Sequence, residues 1–177
     1  MIPLVENRAQ LIHALDTPEI RALFLRHCNL FELTPLLLHA HQRKYTLYVN
    51  IDHIDGIHPD NAGLRYLAQQ LHITGIISSN PRTLVLAKNF ELETIQRIFT
   101  VDSTGLEVAL DSVDIRYVDL LDIAPALVVP HVIPYLTSPL PLSFTASGLI
   151  STFKQAKAII DAGAAAVAVS KSELWSR

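Results

Sequence analysis

Short apolar runs, each closing on a small polar residue, recur along the chain at nearly constant spacing. They occupy residues 47–52, 73–79, 98–102, 120–122, 144–147 and 167–170, and an earlier run at 23–26 fits the same step. Their polar ends, Asp52, Ser79, Asp102, Asp122, Ser147 and Ser170, lie 20 to 27 residues apart. One buried strand with its covering helix takes about that length, so the pattern predicts a string of βα units. In such units chemistry gathers where the strands end, which is where these Asp and Ser residues fall.

The runs predict strands at 20–27, 45–52, 73–78, 94–101, 117–123, 142–146 and 165–169. Residues 1–19 read as a preliminary helix with Leu4, Leu11, Ile12 and Leu15 on one side. Helices are expected at 30–42 and at 59–71, where Leu64, Leu67 and Leu71 keep helical spacing. Asn80 can cap a further helix that runs to about Asn89, and Pro81 suits its first position, where no N–H is needed. Thr104 with Glu107, and Thr152 with Gln155, match capping boxes. The second box opens a helix whose buried stripe reads Phe153, Ala156 and Ile160 and which Gly163 ends. Residues 127–136 are also read as helical, interrupted by Pro130 and Pro134.

About seven parallel strands with covering helices form either a closed barrel or an open doubly wound sheet. Even spacing, polar residues at nearly every strand end and the lack of a glycine-rich turn after the first strand favour the barrel. The expected architecture is therefore α/β, a short TIM-like (β/α) barrel of about seven parallel strands with an N-terminal helix. No long linker or change of composition marks a second domain, so residues 1–177 read as one. Short loops leave little material for a lid and imply a small ligand.

Composition narrows the classes. Half of the 177 residues are hydrophobic and 18% are charged, which fits a folded core rather than disorder. No apolar run approaches the roughly 18 residues that span a bilayer, so no membrane partner is expected. The first residues lack the basic-then-apolar layout of a signal peptide, and Cys28 stands alone, so a reducing cytoplasm is the expected location. A net charge of −3 argues against wholesale coating of nucleic acid but permits a local basic patch.

In βα barrels the loops after the last two strands often cradle phosphate with backbone N–H groups. Ser147, Gly148, Ser170 and Ser172 stand there, although small residues also simply close tight turns. Asp52, in the polar segment 50–56, suits a ligand hydroxyl, a turn or a cap; a metal shared with His53 or Asp55 is disfavoured because strand neighbours face opposite sides. Asp102 and Asp122 are expected beside Asp52 at the mouth, where three carboxylates would bind a polyol or repel one another and raise one pKa. Asp102 alternatively caps the helix behind it. Arg97, inside a strand, is an anion-binding or ion-pair residue, because a buried cation needs a partner. Arg97 and Asp102 face opposite sides if the strand runs on regularly to 102. No predicted strand carries a lysine for a Schiff base, the eight His form no triad or zinc spacing, and Cys28 has no evident activating base.

Residues 49–57, 75–79, 94–99 with Asp102 and Ser103, 147–150, and 162–175 together resemble the glycerol-3-phosphate-responsive antiterminator family of bacteria, the glycerol uptake operon antiterminators. The resemblance implies a barrel-like regulator without a cofactor. It would take glycerol 3-phosphate, a small phosphorylated polyol, as effector and act on the leader mRNA of glycerol-utilisation operons. The chain departs from the family pattern at several points. Ser147 precedes Gly148 where two glycines are usual, and Ser79-Asn80 replaces a Thr-Lys pair. Ala126 replaces the glycine of a Leu-Pro-Gly turn, Asp122 a Glu, and Lys171 a small polar residue. A phosphosugar enzyme with an Asp as general acid or base, and a homologue with an altered ligand, are the alternatives. Candidate RNA-contacting cations are Arg43, Lys44, Arg82, Lys88, Lys154 and Lys157, and a homo-oligomer is compatible with the sequence.

Overall fold

The computed structural model describes residues 1–42, 45–136 and 140–175. Eight parallel strands close into a barrel in chain order. They are β1 (Ile2–Val5), β2 (Ala22–Leu25), β3 (Thr46–Asn50), β4 (Gly75–Ser78), β5 (Glu93–Phe99), β6 (Leu120–Ala124), β7 (Phe144–Ser147) and β8 (Ala166–Val169). The helices between them are α1 (Arg8–Leu15), α2 (Leu30–Gln42), α3 (Asn61–Gln69), α4 (Pro81–Lys88), α5 (Ser103–Asp111), α6 (Val129–Val132) and α7 (Phe153–Asp161).

The expected seven strands are thus eight. The segment read as an N-terminal helix is β1 followed by α1, and β1 closes the barrel on β8 with Ile2 opposite Ala168 and Pro3 opposite Val169. Four residues including a proline carry too little alternation to announce a strand, and Leu4 falls by coincidence into the spacing of the α1 stripe. In the fold they part company. Leu4 joins Phe24, Ile77, Ile95 and Ala168 on the barrel axis, whereas Leu11 and Leu15 pack in the layer between strands and helices. Ile12 is largely exposed. Asn7 marks the boundary: its side chain accepts the backbone N–H of Gln10 and caps α1.

Two cores result, as a barrel buried on both faces requires. The inner one is small, and Ile2, Tyr48 and Leu120 pack against it. The larger outer core includes Val5, Leu23, Leu25, Leu47, Val49 and Ile76 from the opposite strand faces, with Leu64, Leu67 and Leu84 from the helices. The barrel closes tightly between β4 and β5. A Cβ on Gly75 would lie 2.4 Å from the Glu93 carbonyl oxygen, and Tyr48 Oη donates to Glu93 Oε2 at 2.5 Å.

The expected helix signals hold at two starts. Asn80 caps α4 with Pro81 in its first turn, and Thr152 with Gln155 forms the capping box of α7. Elsewhere they shift. Asp102, not Thr104, caps α5, its Oδ1 accepting the Gly105 N–H at 2.7 Å. The buried stripe of α7 runs through Ala156 and Ile159, leaving Ile160 exposed. The region 127–136 is three short pieces: a 3-10 turn (Ala126–Val128), one turn of α-helix in α6, and a second 3-10 turn (Ile133–Tyr135). Pro130 and Pro134 each sit in the first turn of a piece, where a missing N–H costs nothing.

After β8 comes a 3-10 turn (Ser172–Leu174). Trp175 then folds back, donating its indole N–H to the Val169 carbonyl at 2.7 Å and stacking on His13 of α1. Gln10 ties the same seam, donating to the Ser170 carbonyl at 3.0 Å and accepting from the Glu6 N–H at 2.7 Å. Among the described residues, no helix is long and apolar enough to cross a membrane.

Candidate functional site at the barrel mouth

Strand alternation builds the site. Two residues beyond six members of the inner apolar tier, on the same strand face, stands a polar side chain. Phe24 leads to Arg26, Tyr48 to Asn50, Ile77 to Ser79, Ile95 to Arg97, Leu120 to Asp122, and Ala168 to Ser170. Thr145 and Ser147 hold this face on β7, since Thr145 pairs in register with Asp122 and Ser147 with Ala168. An apolar plug thus fills the waist of the barrel, and a polar tier lines its C-terminal mouth.

The centre of that tier is an ion pair. Arg97 and Asp122 are opposite each other in the β5–β6 register. Arg97 Nη1 lies 3.7 Å from Asp122 Oδ2, with side chains 4% and 1% exposed. Ser147 Oγ donates to Asp122 Oδ2 at 2.7 Å and Thr145 Oγ1 to Oδ1 at 3.1 Å. Burial raises the Asp122 carboxyl above the usual range, against the pull of Arg97, Ser147 and Thr145. Burial likewise pushes the Arg97 guanidinium down, opposed by Asp122. The expected cause, repulsion among three carboxylates, is not the one at work; desolvation is.

Several groups around this pair lack partners. The Nε atoms of Arg97 and Arg26, and both amide atoms of Asn50, are buried without a hydrogen-bond partner among the described residues. The guanidinium of Arg97 packs over the Phe99 ring at 5.2 Å. At the rim, Asp52 is held by Ser78 Oγ at 2.6 Å, and by the Ser79 backbone N–H and Oγ at 2.7 and 2.9 Å. The rings of His27 and His53 lie 4.9 Å apart. Burial lowers the His53 pKa, and Arg26 and His27 lower it further.

Of the sequence-derived candidates, the fold brings Arg97, Asp122 and Ser147 into direct contact and places Asp52 at the rim beside them; the charge of Asp52 acts on Arg97. Gly148 (φ +89) and Ser170 follow the adjacent strands β7 and β8, so the two closing turns meet at the same end of the barrel, with Ser172 in the 3-10 turn behind them. Asp102 stands apart. It caps α5 and lines a groove of about 760 Å³ with Leu106, Val128 and Val132, a lining that includes neither Arg97 nor Asp122. Arg26 and Asn50 are additions that the sequence reading missed. Their signal was the period-two step from Phe24 and Tyr48, which attention to the strand ends passed over.

Fold and mouth together define the class: an eight-stranded TIM-like barrel whose C-terminal mouth carries a charged, under-satisfied tier suited to a small polar ligand. Within that class the chain belongs to the glycerol-3-phosphate responsive antiterminator family, whose profile it matches over residues 1–175. A similar solved structure is the glycerol uptake operon antiterminator regulatory protein of Listeria monocytogenes, 23% identical, covering 98% of this chain and 93% of that one with a TM-score of 0.85. Another is a glycerol uptake operon antiterminator-related protein of Thermotoga maritima, 22% identical, covering 98% and 96% with a TM-score of 0.82. An uncharacterized Escherichia coli K12 protein, YgcP, is 24% identical over 99% of this chain and 91% of its own length.

Proposed function

We propose that this protein binds glycerol 3-phosphate in the barrel mouth and, according to that occupancy, binds the leader mRNA of glycerol-utilisation operons and lets transcription pass a terminator. The observation that carries the reading is Arg97. It is a buried guanidinium whose Nε meets no acceptor among the described residues and whose ion-pair partner, Asp122, lies 3.7 Å away. A cation so placed is set for an anion that arrives from outside. The phosphate would take Arg97 with the turns at Gly148 and at Ser170 to Ser172; the terminal glycerol hydroxyl would take Asp52, Asp122 and Ser147.

Regulation rather than catalysis fits the residues present. No described strand carries a lysine, and burial pushes the Cys28 thiol up to about 11, leaving it protonated at neutral pH. For the RNA, Arg82 and Lys154 are exposed, whereas Lys88 and Lys157 are paired with Asp119 and Asp161. Arg43 and Lys44 lie outside the described residues. Effector and RNA affinities must then be linked through one conformational equilibrium.

Thermal denaturation with glycerol 3-phosphate, glycerol or inorganic phosphate tests the effector. At a hundredfold excess over Kd, binding adds about 2.7 kcal/mol, or roughly 5–11 °C for a chain of this size. The phosphorylated polyol should raise Tm without being consumed and should change retention of a leader transcript in a salt-sensitive way. No shift, or turnover of the compound, refutes the reading.

A further inference from the structure

Asn50 ends β3 with 1% of its surface exposed, and neither Oδ1 nor Nδ2 has a hydrogen-bond partner among the described residues. It pairs in register with Ile77 of the inner apolar cluster, so its amide faces into the barrel, as Arg97 and Asp122 do. A buried amide idle at both ends is worse than a hydrocarbon of the same shape, which a position this enclosed would readily accept. A carboxamide presents a donor and an acceptor side by side. An alcohol answers both: its oxygen accepts from Nδ2–H and its hydrogen goes to Oδ1. A ketone answers the donor alone, and a methylene neither.

We propose that Asn50 makes the mouth selective for the oxidation state of the carbon next to the phosphate-bearing one, accepting a secondary alcohol and rejecting the ketone or deoxy counterpart. The inference rests on the proposed polyol-phosphate site and adds to it. Phosphate recognition by arginine and backbone is blind to that carbon, so a site without Asn50 would respond to the oxidised and reduced forms alike. Asn50 acts here as a specificity-determining residue.

Calorimetric titration of the full chain with glycerol 3-phosphate, dihydroxyacetone phosphate and 1,3-propanediol monophosphate tests this. The wild type should bind the alcohol about 10- to 100-fold more tightly than either analogue. Asn50→Leu should lose that preference and bind all three within about threefold of one another; Asn50→Ala serves if the leucine disturbs folding. Equal wild-type affinity for alcohol and ketone overturns the inference while leaving the phosphate site standing, as does a preference that survives Asn50→Leu. Failure of the wild type to bind any of the three removes the underlying site, and the role of Asn50 with it.

Discussion

The Arg97–Asp122 pair permits a test of whether the mouth exists for stability or for a ligand. At 3.7 Å and an effective dielectric of about 20, the attraction is about 332/(20 × 3.7), or roughly 4.5 kcal/mol. Taking each ion out of water costs several kcal/mol even after relaxation. The two contributions nearly cancel, so the pair adds little net stability, yet removing one member strands the other. Asp122→Leu leaves Arg97 buried without its ion-pair partner and removes the carboxylate that accepts from the Ser147 and Thr145 hydroxyls. It should cost about 3–5 kcal/mol. Arg97→Met should cost a similar amount at neutral pH. The double variant strands no charge and should lose only about 1–3 kcal/mol, mostly from the two hydroxyls.

Urea unfolding of the four proteins, with slopes unchanged, measures the cycle. Arg97→Met also makes a signed prediction. Burial already holds the folded Asp122 carboxyl above its unfolded value, and loss of Arg97 raises it further. The folded state then binds the proton more tightly than the unfolded one, so stability is greater in acid and declines as pH rises through the folded pKa. The variant should therefore recover stability on acidification, and the double variant should not. Additivity of the single changes within about 0.5 kcal/mol would refute the reasoning, because independent losses mean the two charges do not depend on each other.

The other predictions concern positions whose roles the fold separates. Asp102→Ala should cost about 1 kcal/mol as a lost helix cap and leave effector affinity unchanged by calorimetry; a tenfold loss of affinity would place Asp102 in the site after all. Gly75→Ala should destabilise by about 3 kcal/mol in urea, since the new methyl meets backbone rather than a movable side chain. Asp119 is desolvated, but Lys88 and the Thr94 backbone and hydroxyl outweigh that and hold its carboxyl below the usual range. Its stabilisation is thus present above the ordinary carboxylate pKa and lost as pH falls through the folded value. Asp119→Asn should flatten that acid limb by about 1 kcal/mol or less, because the group is half exposed.

The site was legible to the extent that strand ends announce themselves. Asp52, Arg97, Asp122 and Ser147 each stop an apolar run or interrupt one, and a barrel must gather such residues at one rim. The pairing of Arg97 with Asp122 was not legible, because it depends on the register between β5 and β6 and not on any spacing along the chain. Asp102 fits the strand-end pattern equally well. Local geometry gives it a different duty: β5 ends at Phe99, and three residues later the backbone has already turned into α5, where the carboxylate accepts the Gly105 N–H. Asn50 and Arg26 follow from alternation alone once the inner tier is known, yet that tier is sparse enough that no single strand displays it.

The eighth strand shows where such pattern-reading fails and why. A parallel strand buried on both faces has no alternation to display, so it is recognised by length and composition, and β1 has four residues. What proves it a strand is closure. Seven of the strands leave β2 and β8 with unpaired edges, and a barrel cannot tolerate an open edge lined with buried N–H and C=O groups. β1 occupies that gap, hydrogen-bonded to β2 on one side and β8 on the other, and Gln10 and Trp175 bind the seam from outside. The closure also sets the mouth. With β1 in place, the turns after β7 and β8 lie across the barrel from β3 and β4 rather than at a frayed edge, so Asp52 and Gly148 belong to one rim. A count of seven left the rim incomplete and gave the serine turns after β7 and β8 no fixed relation to the carboxylates at the other strand ends.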